Sequence, residues 1–192
     1  MAEILASVRR AFSEKGFDGA SMQDLARAAG MSVGNFYRYF RSKADIVAAM
    51  IESDVGRIET DFADVLAAPD PFERLKQLVR DRLPHHQAQS DGALWAEISA
   101  AAQRNSDIGA AACRMETRVR MALLSVFAKQ TRLPLDICTA RFSAEADFIL
   151  LLFKASASLN DAENAHRDHL NALILRSIVQ TLDTIAQTDR NT

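Results

Sequence analysis

Apolar residues recur along almost the whole chain at spacings of three and four, the period of an α-helix, and nowhere alternate as along a strand. Ile4, Leu5, Val8, Ala11 and Phe12 predict a first helix over residues 3–15, ended by Gly16. Ser21 and Asp24 form a capping box, and Met22, Leu25, Ala26 and Ala29 follow on one helical face. Gly30 falls where that short helix must turn sharply, a place where positive φ is cheap only for glycine. Ser32 caps a third helix over 33–40, whose Phe36 and Phe40 lie four apart and point to a core. A further capping box, Ser42 with Asp45, opens a long helix over 42–67 that spans about 35–40 Å. Its stripe runs through Ile46, Val47, Met50, Ile51, Val55, Ile58, Phe62, Val65 and Leu66. Asp70-Pro71-Phe72-Glu73 starts a fifth helix, which Pro84 should kink or end. After a break at Ser90-Asp91-Gly92, a sixth helix is predicted over 93–104 and a seventh over 108–129. The seventh turns Met115, Val119, Ala122, Leu123, Val126 and Phe127 inward. Leu133-Pro134-Leu135-Asp136 opens an eighth helix to about residue 159. Asn160-Asp161 turns into a ninth over 162–186, and the tail from Gln187 is polar. The fold class is all-α, about nine helices.

Residues 21–43 carry the chemistry. Two short helices meet at a glycine turn, with the small Ala26 four residues before Gly30 where the helices touch. This is the layout of a helix-turn-helix, whose second helix enters the major groove of DNA. The inward Phe36 and Phe40 leave Gly34, Asn35, Tyr37, Arg38 and Tyr39 for a solvent or DNA face. With Phe17-Asp18-Gly19-Ala20-Ser21 before the motif and Phe36-Tyr37-Arg38-Tyr39-Phe40-Arg41-Ser42-Lys43 behind it, residues 4–51 resemble the DNA-binding domain of the TetR (tetracycline-repressor-like) family.

The resemblance implies a three-helix DNA-binding domain over residues 1–45 and a larger helical effector-binding and dimerisation domain over 46–192. It implies a DNA face of Ser21, Gln23, Val33, Gly34, Asn35, Tyr37, Arg38, Tyr39 and Lys43. Asn35 suits adenine, Val33 a thymine methyl and Arg38 a guanine or a phosphate. Ser21, Tyr37, Tyr39 and Lys43 suit phosphates, which fix register without reading sequence. Family members often carry a basic arm before the first helix; this chain opens Met1-Ala2-Glu3, and no such arm is expected.

Composition changes this picture little. Forty-eight per cent hydrophobic and 25% charged residues are ordinary for a soluble globular protein, and the net charge of −2 excludes a globally basic nucleic-acid coat. The balance is uneven: residues 1–45 carry net +2 and the remainder net −4, so the basic end is the end with the motif. Cys113 and Cys138 lack metal or redox spacing and suit buried small hydrophobes in a reducing compartment. The longest apolar run, residues 148–153, is far short of the roughly 18 a membrane span requires. A cytoplasmic chain is expected.

The eighth and ninth helices are apolar over too wide an arc for one contact face. Either both are central to the monomer, or a second subunit covers them. The resemblance implies the second: a homodimer through Phe148, Leu151, Leu152, Leu170, Ile174 and Ile178. It would set two recognition helices about 34 Å apart on a palindromic operator. The resemblance also implies a small-molecule effector in a cavity, with Phe62, Trp95, Met115 and Phe127 as its walls; such walls favour an apolar ligand. Asp81 with His85 and His86, and Glu163 with His166 and His169, have helical spacings a metal would accept, but surface histidines are the expected reading. No Ser/His/Asp order, phosphate loop or carboxylate pair supports catalysis, so neither an enzyme nor a cofactor is expected. The expected function is a DNA-binding regulator, a repressor released by its effector. A small-molecule-binding helical protein or an activator of the same fold is the alternative.

Overall fold

The computed structural model describes residues 1–88, 91–157 and 164–188. Within them the helical spacing becomes nine helices and no strand. They are α1 (Ala2–Lys15), α2 (Met22–Ala28), α3 (Val33–Tyr39), α4 (Lys43–Ala67), α5 (Pro71–Ala88), α6 (Asp91–Ala102), α7 (Ser106–Thr131), α8 (Leu135–Ala157) and α9 (Asn164–Thr188). Ser90 of the expected break before α6, the Asn160-Asp161 turn and the tail beyond Thr188 lie outside the described residues.

The chain packs as two compact units. One is Met1–Gly56 with Gln89–Met115; the other is Arg57–Ala88 with Glu116–Thr192. The first unit does not stop at residue 45. Two seven-residue helices cannot enclose a core by themselves. Leu5, Val8 and Phe12 of α1, Leu25 and Ala26 of α2 and Phe36 of α3 therefore share one apolar cluster with Ile46, Val47 and Met50 of α4, Leu94 and Ile98 of α6, and Ile108 of α7. An ion pair joins α1 to α4 beside this cluster, Arg9 to Asp54 at 2.8 Å, with both side chains largely buried.

In the second unit α5, α8 and α9 pack on one another. Phe72 meets Phe127 edge-on at 5.8 Å. Ile174, Ile178, Leu182 and Ile185 descend one face of α9 into the same core as Phe62, Leu124 and Ile149. Lys76 is buried, and its ammonium bonds Asp183 and Glu73, each at 2.7 Å. Burial pulls the pKa of Lys76 down, but the two carboxylates outweigh it and hold the charge more firmly than usual.

Two details depart from the sequence reading. The α5 helix does not end at Pro84; it runs on to Ala88. The carbonyl that Pro84 cannot bond belongs to Arg80, which is exposed, so water can satisfy it. Conversely, α8 is kinked at Phe142, where φ is −125° and ψ 15°. Thr139 and Ser143 donate back to the carbonyls of Leu135 and Thr139, at 2.7 and 2.6 Å, and such back-bonding can bend a helix.

Candidate nucleic-acid interface

The turn between α2 and α3 is built as its sequence requires. The Ser21 hydroxyl accepts the Asp24 N–H at 3.1 Å, and the Asp24 carboxylate accepts the Ser21 N–H at 3.1 Å. At the other end of α2, Gly30 has φ +66°. Its N–H bonds the Arg27 carbonyl at 3.0 Å, and the Met31 N–H bonds the Ala26 carbonyl at 2.9 Å. These two bonds make a Schellman motif, which satisfies the orphan carbonyls and reverses the chain. Ser32 then caps α3 by accepting the Asn35 N–H at 3.3 Å.

Phe36 and Phe40 are buried, with ring centroids 5.3 Å apart, and they hold α3 against the core. The rest of the helix faces solvent. Val33, Gly34, Asn35, Tyr37, Arg38 and Tyr39 are all exposed, as are Ser21 and Gln23. Tyr37 is 47% and Tyr39 53% exposed, too much for either to be a packing residue of the core. Nothing lies within 4 Å of the position a Cβ would take on Gly34, so the backbone there is open to close approach. The structure thus places eight of the nine expected residues at exposed positions of one unit.

Lys43 is the exception. It is half-buried, and its ammonium donates to the carbonyls of Phe17 and Asp18 at 2.7 and 3.2 Å. It also lies 4.9 Å from the centre of the Phe17 ring. Two of its three N–H donors are committed to the α1–α2 loop. The sequence placed it on a phosphate because the loop carbonyls, 25 and 26 residues away, leave no local trace. Two cations not singled out from the sequence stand exposed beside the motif, Arg27 and Arg41. The Arg27 guanidinium is 79% exposed and 3.7 Å from Asp24.

Asp24 ties the module to α1 through Lys15, 2.6 Å away. This bond, together with those from Ser21, holds the Asp24 carboxyl well below its ordinary value of 3.8. A folded-state pKa below the unfolded one adds stability that is fully present above 3.8 and lost as pH falls through the folded value. Asp24→Asn is therefore expected to lower the urea midpoint at neutral pH. The gap from wild type should close only as the pH falls below 3.8, which paired urea titrations from pH 7 to pH 2 will check.

The remaining sites sort differently from expectation. Trp95 and Met115 pack against the cluster of the first unit, whereas Phe62 and Phe127 belong to that of the second. A shallow surface groove beside α5 is lined by Ala68, Pro69, Asp70, Glu73, Arg74, Gln77, Arg80 and Asp81. Of the expected interface residues, Ile174 and Ile178 are buried within the single chain, and Leu152 and Leu170 pack partly against that core. Only Phe148 and Leu151 are exposed, with Leu173 joining them at 39%. The apolar arc is wide because most of it is interior. His166 and His169 are exposed; the side chains of His85 and His86, and Glu163, lie outside the described residues. Among the described residues no cluster of His, Cys, Asp or Glu could hold a metal, and no helix is long and apolar enough to cross a membrane. Cys138 is buried and Cys113 exposed, and burial pushes the Cys138 thiol up.

A seven-residue helix anchored by two phenylalanines, with its polar and aromatic residues turned outward behind a Schellman turn, defines a helix-turn-helix protein. Residues 4–50 match the model of the bacterial regulatory proteins of the tetR family. It is 34% identical over 109 residues to the HTH-type transcriptional repressor Rv1474c of Mycobacterium tuberculosis, covering 51% of this chain and 57% of that one. It is 31% identical over 117 residues to the HTH-type transcriptional regulator BetI of Rhizobium meliloti, covering 60% and 58%. The chain thus spans little more than half the length of these curated relatives. The fold extends further: Salmonella enterica GusR superposes with a TM-score of 0.75 at 24% identity, over 95% of this chain and 94% of that one. FadR from Bacillus subtilis, solved in complex with stearoyl-CoA, superposes with a TM-score of 0.71 at 16% identity, over 94% and 96%.

Proposed function

We propose that this protein is a transcriptional repressor that binds a palindromic DNA operator as a homodimer and is released by a small apolar effector. The observation that carries the DNA reading is α3 itself. Its two inward rings are buried, and every residue with reading chemistry faces outward. Val33, Asn35 and Arg38 would read base edges, and Tyr37, Tyr39, Ser21, Gln23, Arg27 and Arg41 would set the register on phosphates. Domain roles follow the sequence reading, with DNA binding at the N-terminal end and effector binding and dimerisation beyond it. The exposed apolar residues Phe148, Leu151 and Leu173 are the natural centre of a twofold contact. The effector reading draws on the family and on FadR, whose solved complex holds stearoyl-CoA. An effector shifts the equilibrium only by binding the released state more tightly than the DNA-bound state.

Selection of duplexes from a random pool at two salt concentrations tests the reading. The expected winner is a palindrome whose affinity falls steeply with salt. Against it, Arg38→Ala and Asn35→Ala should relax specificity at single positions, each by about 1–3 kcal/mol. Recovery of no sequence at either salt would favour a helical small-molecule-binding protein of the same fold. Whether the bound promoter is silenced or activated is read from a reporter placed behind the selected sequence.

A further inference from the structure

The α1–α2 loop is held from two sides. From one side Lys43, the first residue of α4, donates to the carbonyls of Phe17 and Asp18. From the other, Glu97 of α6 accepts the N–H of Phe17. Both polar groups of the Phe17 main chain are therefore taken, one by each of two helices far apart in sequence. The loop is shaped to admit the carboxylate. Gly16 has φ +76°, and a Cβ there would lie 3.3 Å from a Glu97 oxygen, so glycine meets both the backbone and the space requirement. Beyond Glu97 a cleft of about 300 Å³, bounded by residues 16–19 with Ala100 and Arg104, gives the loop room to move on that side.

We infer that Glu97 is a positioning residue for the DNA face, acting through the Phe17 main chain to keep the Lys43 ammonium on the loop and off phosphate. With Glu97 in place, two carbonyls stay within reach of the ammonium and its charge is engaged inside the protein. With the Phe17 N–H released, the loop relaxes into the cleft and the carbonyls leave Lys43. Its charge then becomes one more phosphate contact at the edge of the motif. The α6 carboxylate thereby sets the number of phosphates the protein neutralises. This rests on the DNA reading above.

The test is a double-mutant cycle read in salt dependence. Dissociation constants for the selected duplex are measured across a salt series for wild type, Glu97→Ala, Lys43→Ala and the double variant. Each phosphate contact adds about 0.9 to the slope of log affinity against log salt. Because two copies bind the palindrome, each bringing its own Lys43, Glu97→Ala is expected to steepen the slope by about 1.8, and Lys43→Ala to erase the change. Glu97→Gln keeps an oxygen acceptor for the Phe17 N–H and should restore the wild-type slope. An unaltered slope in Glu97→Ala, or the same change with alanine at position 43, overturns the inference whatever happens to the melting temperature. If Glu97→Ala does not fold, Glu97→Asp, one methylene too short to reach, carries the same cycle. Wild-type protein that binds no duplex overturns the DNA reading and this inference together; wild-type binding with additive slopes overturns this inference alone.

Discussion

Phe36→Ala is expected to destabilise the helix-turn-helix unit by about 3–5 kcal/mol, the range for removing a buried aromatic ring from a packed core. Phe36 is wholly buried, and its ring lies 5.3 Å from that of Phe40. Few neighbours can close the gap, because α3 is about two turns of helix fixed at both ends by its cap and by Phe40. In a unit of this size each 1 kcal/mol moves the melting temperature by about 4–8 °C, so a fall of at least about 12 °C is expected by calorimetry. Duplex binding should fail with it. Val33→Ala on the same helix is the control. Val33 is exposed and has no core partner, so stability should stay within about 0.5 kcal/mol while the binding preference changes. A Phe36→Ala protein that melts like wild type would mean that α3 is not held by its rings.

Leu151→Glu is expected to leave the fold intact and abolish the dimer. Leu151 is 62% exposed in the single chain, so a carboxylate there meets water and costs the monomer little. Across a twofold axis the same change appears twice, placing charges from both copies in an apolar contact with Phe148 and Leu173. Sedimentation should show a monomer. Affinity for the palindrome should fall by about 10²–10⁴, the gain that linking two half-site contacts provides. The matching change at Ile178 should instead prevent folding, because that side chain is wholly enclosed by its own chain. A Leu151→Glu protein that still sediments as a dimer would move the interface elsewhere.

Local chemistry made much of the fold legible. The Ser21–Asp24 and Ser42–Asp45 boxes, the Ser32 cap and the left-handed Gly30 each depend on residues within five positions, and each is present. Phe36 and Phe40 were legible because helical period alone decides which side of a two-turn helix they share. What escaped the sequence depends on distant partners. Lys43 carries the appearance of a free cation until the loop 25 residues upstream folds against it. The contribution of α6 to the first unit is likewise invisible in its spacing, since an alanine-rich helix suits any neighbour. Ile174 and Ile178 share the period of an interface stripe and of a core stripe, and only the packing of α5 and α8 on α9 distinguishes the two. Nothing local announces the kink at Phe142: Thr139 and Ser143 bond backwards there, as Ser177 and Thr181 do in α9 with no kink.

The shortness of α3 has a kinetic consequence. A helix of seven residues does not persist in water by itself, because nucleation costs more than so few hydrogen bonds return. The reading surface therefore exists only while the core beneath Phe36 exists, and the amide protons of α3 should exchange with solvent through opening of the whole unit rather than through fraying. Encounter with DNA then needs no coupled folding step. The residence time on each sequence is set by contacts alone, which suits a protein that must sample very many wrong sites quickly before stopping at one.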